Sequence, residues 1–484
     1  MVIVQYIKKL KIRILIISLA LLIFNVSHAI VKVTHFVTST ADAPFAKQTK
    51  FSINKNSSKT AEITIQLNKP QQRIEGFGGC FNELGWQALS ILKVSDRDEI
   101  LKNLFDKTSG VKFNICRMPL GANDFSIDWY SYNETPNDFE MNNFSIENDQ
   151  KTLIPFIKSA TKINPDIYIW ASPWSPPSWM KYNNHYASVA NEPGPFYNGL
   201  SASKNSKEGT DMFKVEQNYF EAYALYFEKF IQAYKKEGIK ISAVAPQNEF
   251  NSTQLFPSCT WTAHGLNTFV GKYLGAKMKQ NNVDIWFGTL ERANYLLADT
   301  LLRDPLSSKY IKAVLFQWAG KDAIREIHKN FPTLRLVQSE SECGDGLNDW
   351  KYCLYTWSLM KRYFDNGASV YEYWNIALKE NGLSRWGWRQ NSLISVNEKN
   401  ATYTFNHEFY LMKHFSHYIQ KDARYLNTKG NSKNILAFKN PDGSIVILLA
   451  NMENNEKVIA INLGNYIIKP ILKSSSISTI VINQ

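Results

Sequence analysis

Two segments of this chain end apolar runs in carboxylates. Ala245-Pro246-Gln247-Asn248-Glu249 closes the run that starts at Ile241, and Gln338-Ser339-Glu340-Ser341-Glu342 closes the run from Leu334. Paired carboxylates have a defined use at a glycosidic bond. One, protonated, donates to the glycosidic oxygen while the other, ionised, attacks the anomeric carbon. A lone Glu is usually a solvated surface group, but these follow strand-like segments and lie among aromatics and amides. Other apolar runs end in groups suited to a sugar. Arg117 leads into Asn123-Asp124, and Trp174, Trp318 and Trp374 close three further runs. Indole faces stack on the apolar face of a pyranose, and Asp or Asn binds its hydroxyls. Asn248 has two readings: a donor to a sugar 2-OH, or a turn-forming Asn.

These groups need a scaffold that gathers strand ends. Eight strands are predicted: Arg73–Cys80, Val111–Leu120, Asp166–Trp174, Ile241–Gln247, Val283–Thr289, Ile311–Trp318, Leu334–Ser339 and Ser369–Trp374. Several are near-continuous apolar runs, as in a parallel sheet covered on both faces. Helical patterns separate them, for example Asn218–Tyr234. This alternation predicts an α/β fold, a (β/α)8 TIM barrel over residues 73–414, whose catalytic groups belong at the C-terminal strand ends.

Beyond residue 415 the pattern changes. Asn434–Phe438, Ser444–Leu449, Lys457–Ile461 and Thr479–Ile482 read as strands, with a turn at Asn440-Pro441-Asp442-Gly443. Residues 415–484 are therefore expected to form an all-β module. Ala61–Leu67 alternates apolar and polar, so the segment 30–72 is expected to pair with it, closing it from both chain ends.

Residues 1–29 read as a signal peptide. Lys8, Lys9, Lys11 and Arg13 precede an 11-residue apolar run, Ile14–Phe24, too short to span a bilayer, and Ser27-His28-Ala29 fits a cleavage site. An uncleaved leader would instead anchor the protein at a membrane surface. The leader holds four of the +12 net charges and no acid, leaving +8 on the mature chain. Those cations are scattered, which suits a solvated surface with some affinity for anionic ones and excludes a nucleic-acid footprint. Five Cys (80, 116, 259, 343, 353) make no disulfide framework, and no C-x-x-C or H-E-x-x-H occurs, which argues against zinc.

The chain resembles glycoside hydrolase family 30, and within it the glucosylceramidase type. The resemblance rests on Gly76-Phe77-Gly78-Gly79, on Asp124-Phe125-Ser126 followed by Thr135-Pro136-Asn137-Asp138-Phe139, and on Ala171-Ser172-Pro173-Trp174. It continues through Asn248-Glu249, Ser339-Glu340, Trp374-Asn375-x-Ala377-Leu378 and Pro441-Asp442-Gly443-Ser444. The resemblance implies that segment 30–72 and residues 415–484 form a β-sandwich domain built from both chain ends, with Glu249 as acid/base and Glu340, rather than Glu342, as nucleophile. It also implies that Asp124, Trp174 and Trp374 line the subsite for the non-reducing sugar, that Asn248 meets the 2-OH, and that Arg117 supports the nucleophile. Trp318 is grouped with the substrate-binding set. Two departures stand out: Phe250 follows Glu249 where the family has Pro, and Gln317-Trp318-Ala319 replaces His-Trp-Tyr.

The expected function is a cofactor-free, exported, retaining β-glycosidase. Its substrate would be glucosylceramide or a related β-glucoside, glycolipid or oligosaccharide, with peripheral contact to a lipid surface. β-1,6-Glucan, β-xylosides and β-fucosides are same-family alternatives. A non-catalytic carbohydrate-binding protein is the alternative of a different class.

Overall fold

The computed structural model describes residues 32–40, 44–49, 51–55, 61–431 and 433–483. The expected leader over 1–29 lies outside the described residues. Eight parallel strands close into a barrel in chain order: Gly76–Cys80, Ile115–Pro119, Tyr168–Ser172, Ile241–Val244, Asp284–Leu290, Ile311–Gln317, Arg335–Glu340 and Ala368–Asn375. Every residue of the first, second and eighth strands is buried, as expected for strands covered on both faces. Gly78 is there for close approach: a Cβ on it would sit 1.4 Å from the Ile115 carbonyl oxygen of strand two.

The barrel interior is filled, not hollow. Trp170 and Trp286 occupy it beside Ile115, Leu315, Val337 and Val370, and Ala243, Ala245 and Ala313 leave room for the indoles. The helices pack outside. Gln217–Lys236 buries Phe220, Tyr223, Phe227, Phe230 and Tyr234, spaced three or four residues apart, and leads into Gly238 at φ +78°.

The sandwich takes strands from both chain ends. Its central run is Ile63–Arg73, Arg424–Gly430, Ile435–Lys439, Ile445–Asn451, Ser476–Asn483 and Lys32–Ser39, each antiparallel to its neighbours. Ile445, Ile447 and Leu449 enter the sandwich's own core, while Val446, Leu448 and Ala450 join the barrel's core. The period of two thus sends one strand into two cores. Lys457–Ile461 is not one strand: it is broken into Lys457–Val458 and Ile461–Asn462. The boundary placed after residue 414 falls inside a helix, His407–Ser416. Both His414 ring nitrogens lie 2.8 Å from sandwich hydroxyls, those of Thr479 and Thr38, so this helix joins the two units instead of separating them.

The long segment after strand two, which carries Asp124, is tied down by two buried carboxylates. Glu83 accepts from the Ile127 amide, Asn148 and Thr152 at 2.9–3.0 Å. Asp149 accepts from the hydroxyls of Tyr130, Tyr132 and Tyr234. Burial pushes the Asp149 carboxyl up to about 6. Between the usual Asp range and that value the folded state holds a proton that the unfolded chain has released, so stability falls as pH rises through this window. The expected loss is on the order of 2–3 kcal/mol. Thermal melts from pH 4 to 7 check this: wild type should lose stability with rising pH, and Asp149→Asn should flatten that slope.

Candidate active site

The C-terminal strand ends bring the predicted carboxylates together. Glu249 follows strand four, and Glu340 ends strand seven. Each is only 4% exposed. Gln317, the last residue of strand six, lies between them. Its Nε2 donates to Glu249 Oε1 at 3.0 Å and to Glu340 Oε2 at 3.1 Å. Sharing one donor, these two oxygens are at most about 6 Å apart.

Arg117 organises the floor. Its Nη1 donates to Glu340 Oε2 at 2.8 Å, its Nη2 to Asn248 Oδ1 at 2.6 Å and to Ser172 Oγ at 2.9 Å. The side chain is fully buried. Arg117 contacts Glu340, as the resemblance implies, and spends its donors on the protein and not on a sugar, because Glu340, Asn248 and Ser172 converge on its fork. Its guanidinium also packs on indole rings, 4.3 Å from the Trp174 centroid and 5.3 Å from that of Trp374. Those two indoles stack on each other at 5.4 Å and are at most 1% exposed. They wall the site more than they present open faces. Trp318 is half-buried, and its Nε1 donates to Glu340 Oε1 at 3.0 Å.

Asn248 Oδ1 accepts from Arg117, Gln317 and Thr289, which leaves its NH2 for a ligand. Asp124 is 4% exposed and close enough to Glu340 for the two charges to act on each other. Asp124 Oδ1 and Trp374 Nε1 are buried without a well-formed hydrogen bond among the described residues, and the indole N–H lies close enough to the Asp124 carboxyl to help hold its charge. Glu342 lies apart from this cluster. Lys321 pairs with one of its oxygens at 2.7 Å and the Tyr355 hydroxyl donates to the other at 2.6 Å.

Burial pushes both central carboxyls upward. At Glu249 the charges of Glu340, Glu291 and Asp124 add to it, while the Gln317 amide at 3.0 Å and the Gln254 amide at 3.4 Å oppose it. At Glu340 burial is opposed by Arg117, Trp318 and Gln317. Of the two, Glu249 therefore holds the proton. Glu249 and Trp318 both have φ +46°, in the left-handed region where non-glycine residues are strained. The Glu249 conformation is held by its amide, which donates to Thr289 Oγ1 at 2.8 Å.

Gln317 and Thr289 are the contributors that sequence did not assign. Gln317 carried a signal, a polar residue closing Ile311-Lys312-Ala313-Val314-Leu315-Phe316, but the neighbouring indole drew the attention. Thr289 carried none, since strand five ends without carboxylate or Trp.

Arg117→Met should cost about 3–5 kcal/mol at neutral pH, because it leaves Glu340 buried without its cation. The deficit should shrink as pH falls, since Glu340 then takes up a proton. Urea unfolding at pH 5 and pH 7.5 measures both.

Residues 74–419 match the glycosyl hydrolase family 30 TIM-barrel domain, and residues 422–480 match that family's beta sandwich domain. Lysosomal acid glucosylceramidase of Mus musculus is 28% identical over 431 residues, 83% of this chain and 79% of that protein. An endo-1,6-beta-D-glucanase of Aspergillus fumigatus is 24% identical over 437 residues, 85% of each chain. The crystal structure of SrfJ from Salmonella typhimurium superposes with a TM-score of 0.83 at 22% identity, covering 94% of this chain and all of that one. With both domains matched in order around a buried carboxylate pair, the chain belongs to glycosyl hydrolase family 30 and is a glycoside hydrolase.

Proposed function

We propose that this enzyme hydrolyses β-glucosidic bonds with retention, through a covalent glycosyl-enzyme. The observation that carries the reading is the Gln317 amide shared by Glu249 and Glu340. Facing oxygens at most about 6 Å apart fit the short carboxyl spacing that direct attack uses, about 5–5.5 Å being typical. Glu340, ionised beside Arg117, forms a bond to the anomeric carbon as the glycosidic C–O bond breaks. Glu249 gives its proton to the departing oxygen. Water then attacks the anomeric carbon, its proton returns to Glu249, and Glu340 leaves as carboxylate.

Asp124, the Trp374 indole N–H and the Asn248 NH2 would receive hydroxyls of the inner sugar. Asp124 Oδ1 and the indole N–H have no well-formed partner beyond their proximity to each other, and hydroxyls of a bound sugar would complete both. Trp174 walls that subsite, and Trp318 offers a half-buried ring beside the nucleophile. The mouse relative is named a glucosylceramidase, which favours glucosylceramide or a related β-glucoside. A β-1,6-glucan is the second reading. The Aspergillus relative favours it, and so does the absence at Gln317-Trp318-Ala319 of the His and Tyr of the glucosylceramidase type. The short apolar leader favours export, with Lys and Arg available for a lipid surface.

Proton NMR of an aryl β-glucoside digest tests the chemistry. β-Glucose should appear first and then mutarotate, and α-glucose appearing first would overturn retention. Rates on glucosylceramide and on a β-1,6-linked glucan then separate the two substrates.

A further inference from the structure

We propose that Glu372 is a positioning residue for Glu340, acting through the Trp170 ring on the Arg117 guanidinium. The proposal rests on Glu340 being the nucleophile. Glu372 lies in barrel strand eight and is 1% exposed. It is too deeply enclosed to be a reactant, and the mechanism above does not use it. Its two carboxyl oxygens lie 3.0 and 2.9 Å from Trp170 Nε1, so both converge on one indole N–H. The Trp170 ring in turn meets the Arg117 guanidinium at 4.9 Å. Arg117 holds Glu340 at 2.8 Å and Asn248 at 2.6 Å. Two side chains, Trp170 and Arg117, thus link a carboxyl inside the barrel to the proposed nucleophile.

The surroundings make the carboxyl informative. Ile115, Ala243, Ala245, Val337 and Val370 pack with Trp170 in this layer, beside Gln338 and Arg117. A carboxyl there costs desolvation that a Leu would avoid. Fixing Trp170 is what it does in return. An acceptor on the indole N–H sets the tilt of the ring and enriches the π face that meets a cation. The Glu372 backbone adds a second tie, donating to Gln338 Oε1 at 2.6 Å, two residues before Glu340. Burial pushes the Glu372 carboxyl well above its usual range, and the side-chain contact the structure shows is its acceptance of the Trp170 N–H. Its part is therefore that of an acceptor, which a carboxamide can also play.

Glu372→Leu removes the acceptor at similar volume, and Glu372→Gln keeps it. With an aryl β-glucoside, Glu372→Leu should lower kcat about 10²-fold with little change in KM, the usual cost of about 1 Å of misplacement. Its acid limb in kcat/KM should move to higher pH, because Glu340 loses hold of Arg117. The ionisable groups facing Glu340 are Arg117, Asp124, Glu249, Cys80 and Cys343, and those facing Glu372 are Arg117, Cys80 and Cys116; all remain in both variants. Glu372→Gln should return kcat and the limb to within about twofold and a few tenths of a pH unit of wild type, on the same acceptor argument. A folded Glu372→Leu with unmoved limb and wild-type kcat overturns the proposal. So does a Glu372→Gln as impaired as Glu372→Leu. If Glu372→Leu does not fold, Trp170→Phe keeps a ring beneath Arg117 but deletes the N–H, and it should move the same limb; an unmoved limb again overturns the proposal. Trapping wild type with a 2-fluoro-β-glucosyl fluoride, followed by peptide mapping, reports separately on whether Glu340 is the nucleophile.

Discussion

Glu340→Gln will bring turnover of every β-glycoside to background. The loss should exceed the about 10²–10⁴-fold that general acid–base help supplies, because the covalent route itself is removed. An amide is a very poor nucleophile, so no glycosyl-enzyme forms even with an activated leaving group. The substitution also misfits its neighbours. Arg117, Gln317 and Trp318 all donate to the Glu340 carboxylate, and a carboxamide must turn its own NH2 toward at least one of them. Mass spectrometry of the variant with an aryl glucoside checks the result: no adduct should accumulate on any time scale. A stable adduct on another carboxylate, Glu342 included, would show that the nucleophile had been misplaced.

Glu249→Ala should fail differently. An aryl glucoside with a good leaving group needs little protonation, so its first step survives while the second lacks a general base. The glycosyl-enzyme should therefore accumulate, after a burst of phenolate. Steady turnover should fall about 10²–10⁴-fold. Azide needs no deprotonation and should restore turnover, releasing β-glucosyl azide with retention overall. The anomer of that product is the decisive measurement, since an α-glucosyl azide would make Glu249 the nucleophile and reverse the two roles. The alkaline limb of the pH profile should also vanish with the variant, because the buried proton that Glu249 carries is then gone.

All eight barrel strands were legible in the sequence, most as short apolar runs between helical patterns and the first as Gly76-Phe77-Gly78-Gly79. That Glu249 and Glu340 lie together at strand ends was legible because each follows such a run. What sequence did not reveal is mostly contact across long separations. Nothing in the spacing of Trp170 and Glu372, 202 residues apart, says that they share a hydrogen bond. Arg117 read both as a sugar-side group and as a support for Glu340, and only the closed barrel shows its fork already filled by Glu340, Asn248 and Ser172. In the sandwich, Tyr466–Leu472 escaped notice because Lys469 and Pro470 interrupt its apolar pattern. The boundary after residue 414 erred because His407–Ser416 packs on both units, so no Gly- or Pro-rich linker marks the change.

The two-ended sandwich has a consequence for how the protein is made. Lys32–Ser39 pairs residue by residue with Ser476–Asn483, about 440 residues further along the chain. At the usual about 5–20 residues per second, a ribosome reaches the partner strand roughly 20–90 s after the first strand has been synthesised. During that interval the barrel's neighbouring strands can pair as they emerge, while Lys32–Ser39 waits as an open sheet edge. Such an edge is a template for another chain's strand. Overproduction is therefore expected to fail first at this seam, in aggregates of nascent chains whose barrels have formed and whose sandwiches have not.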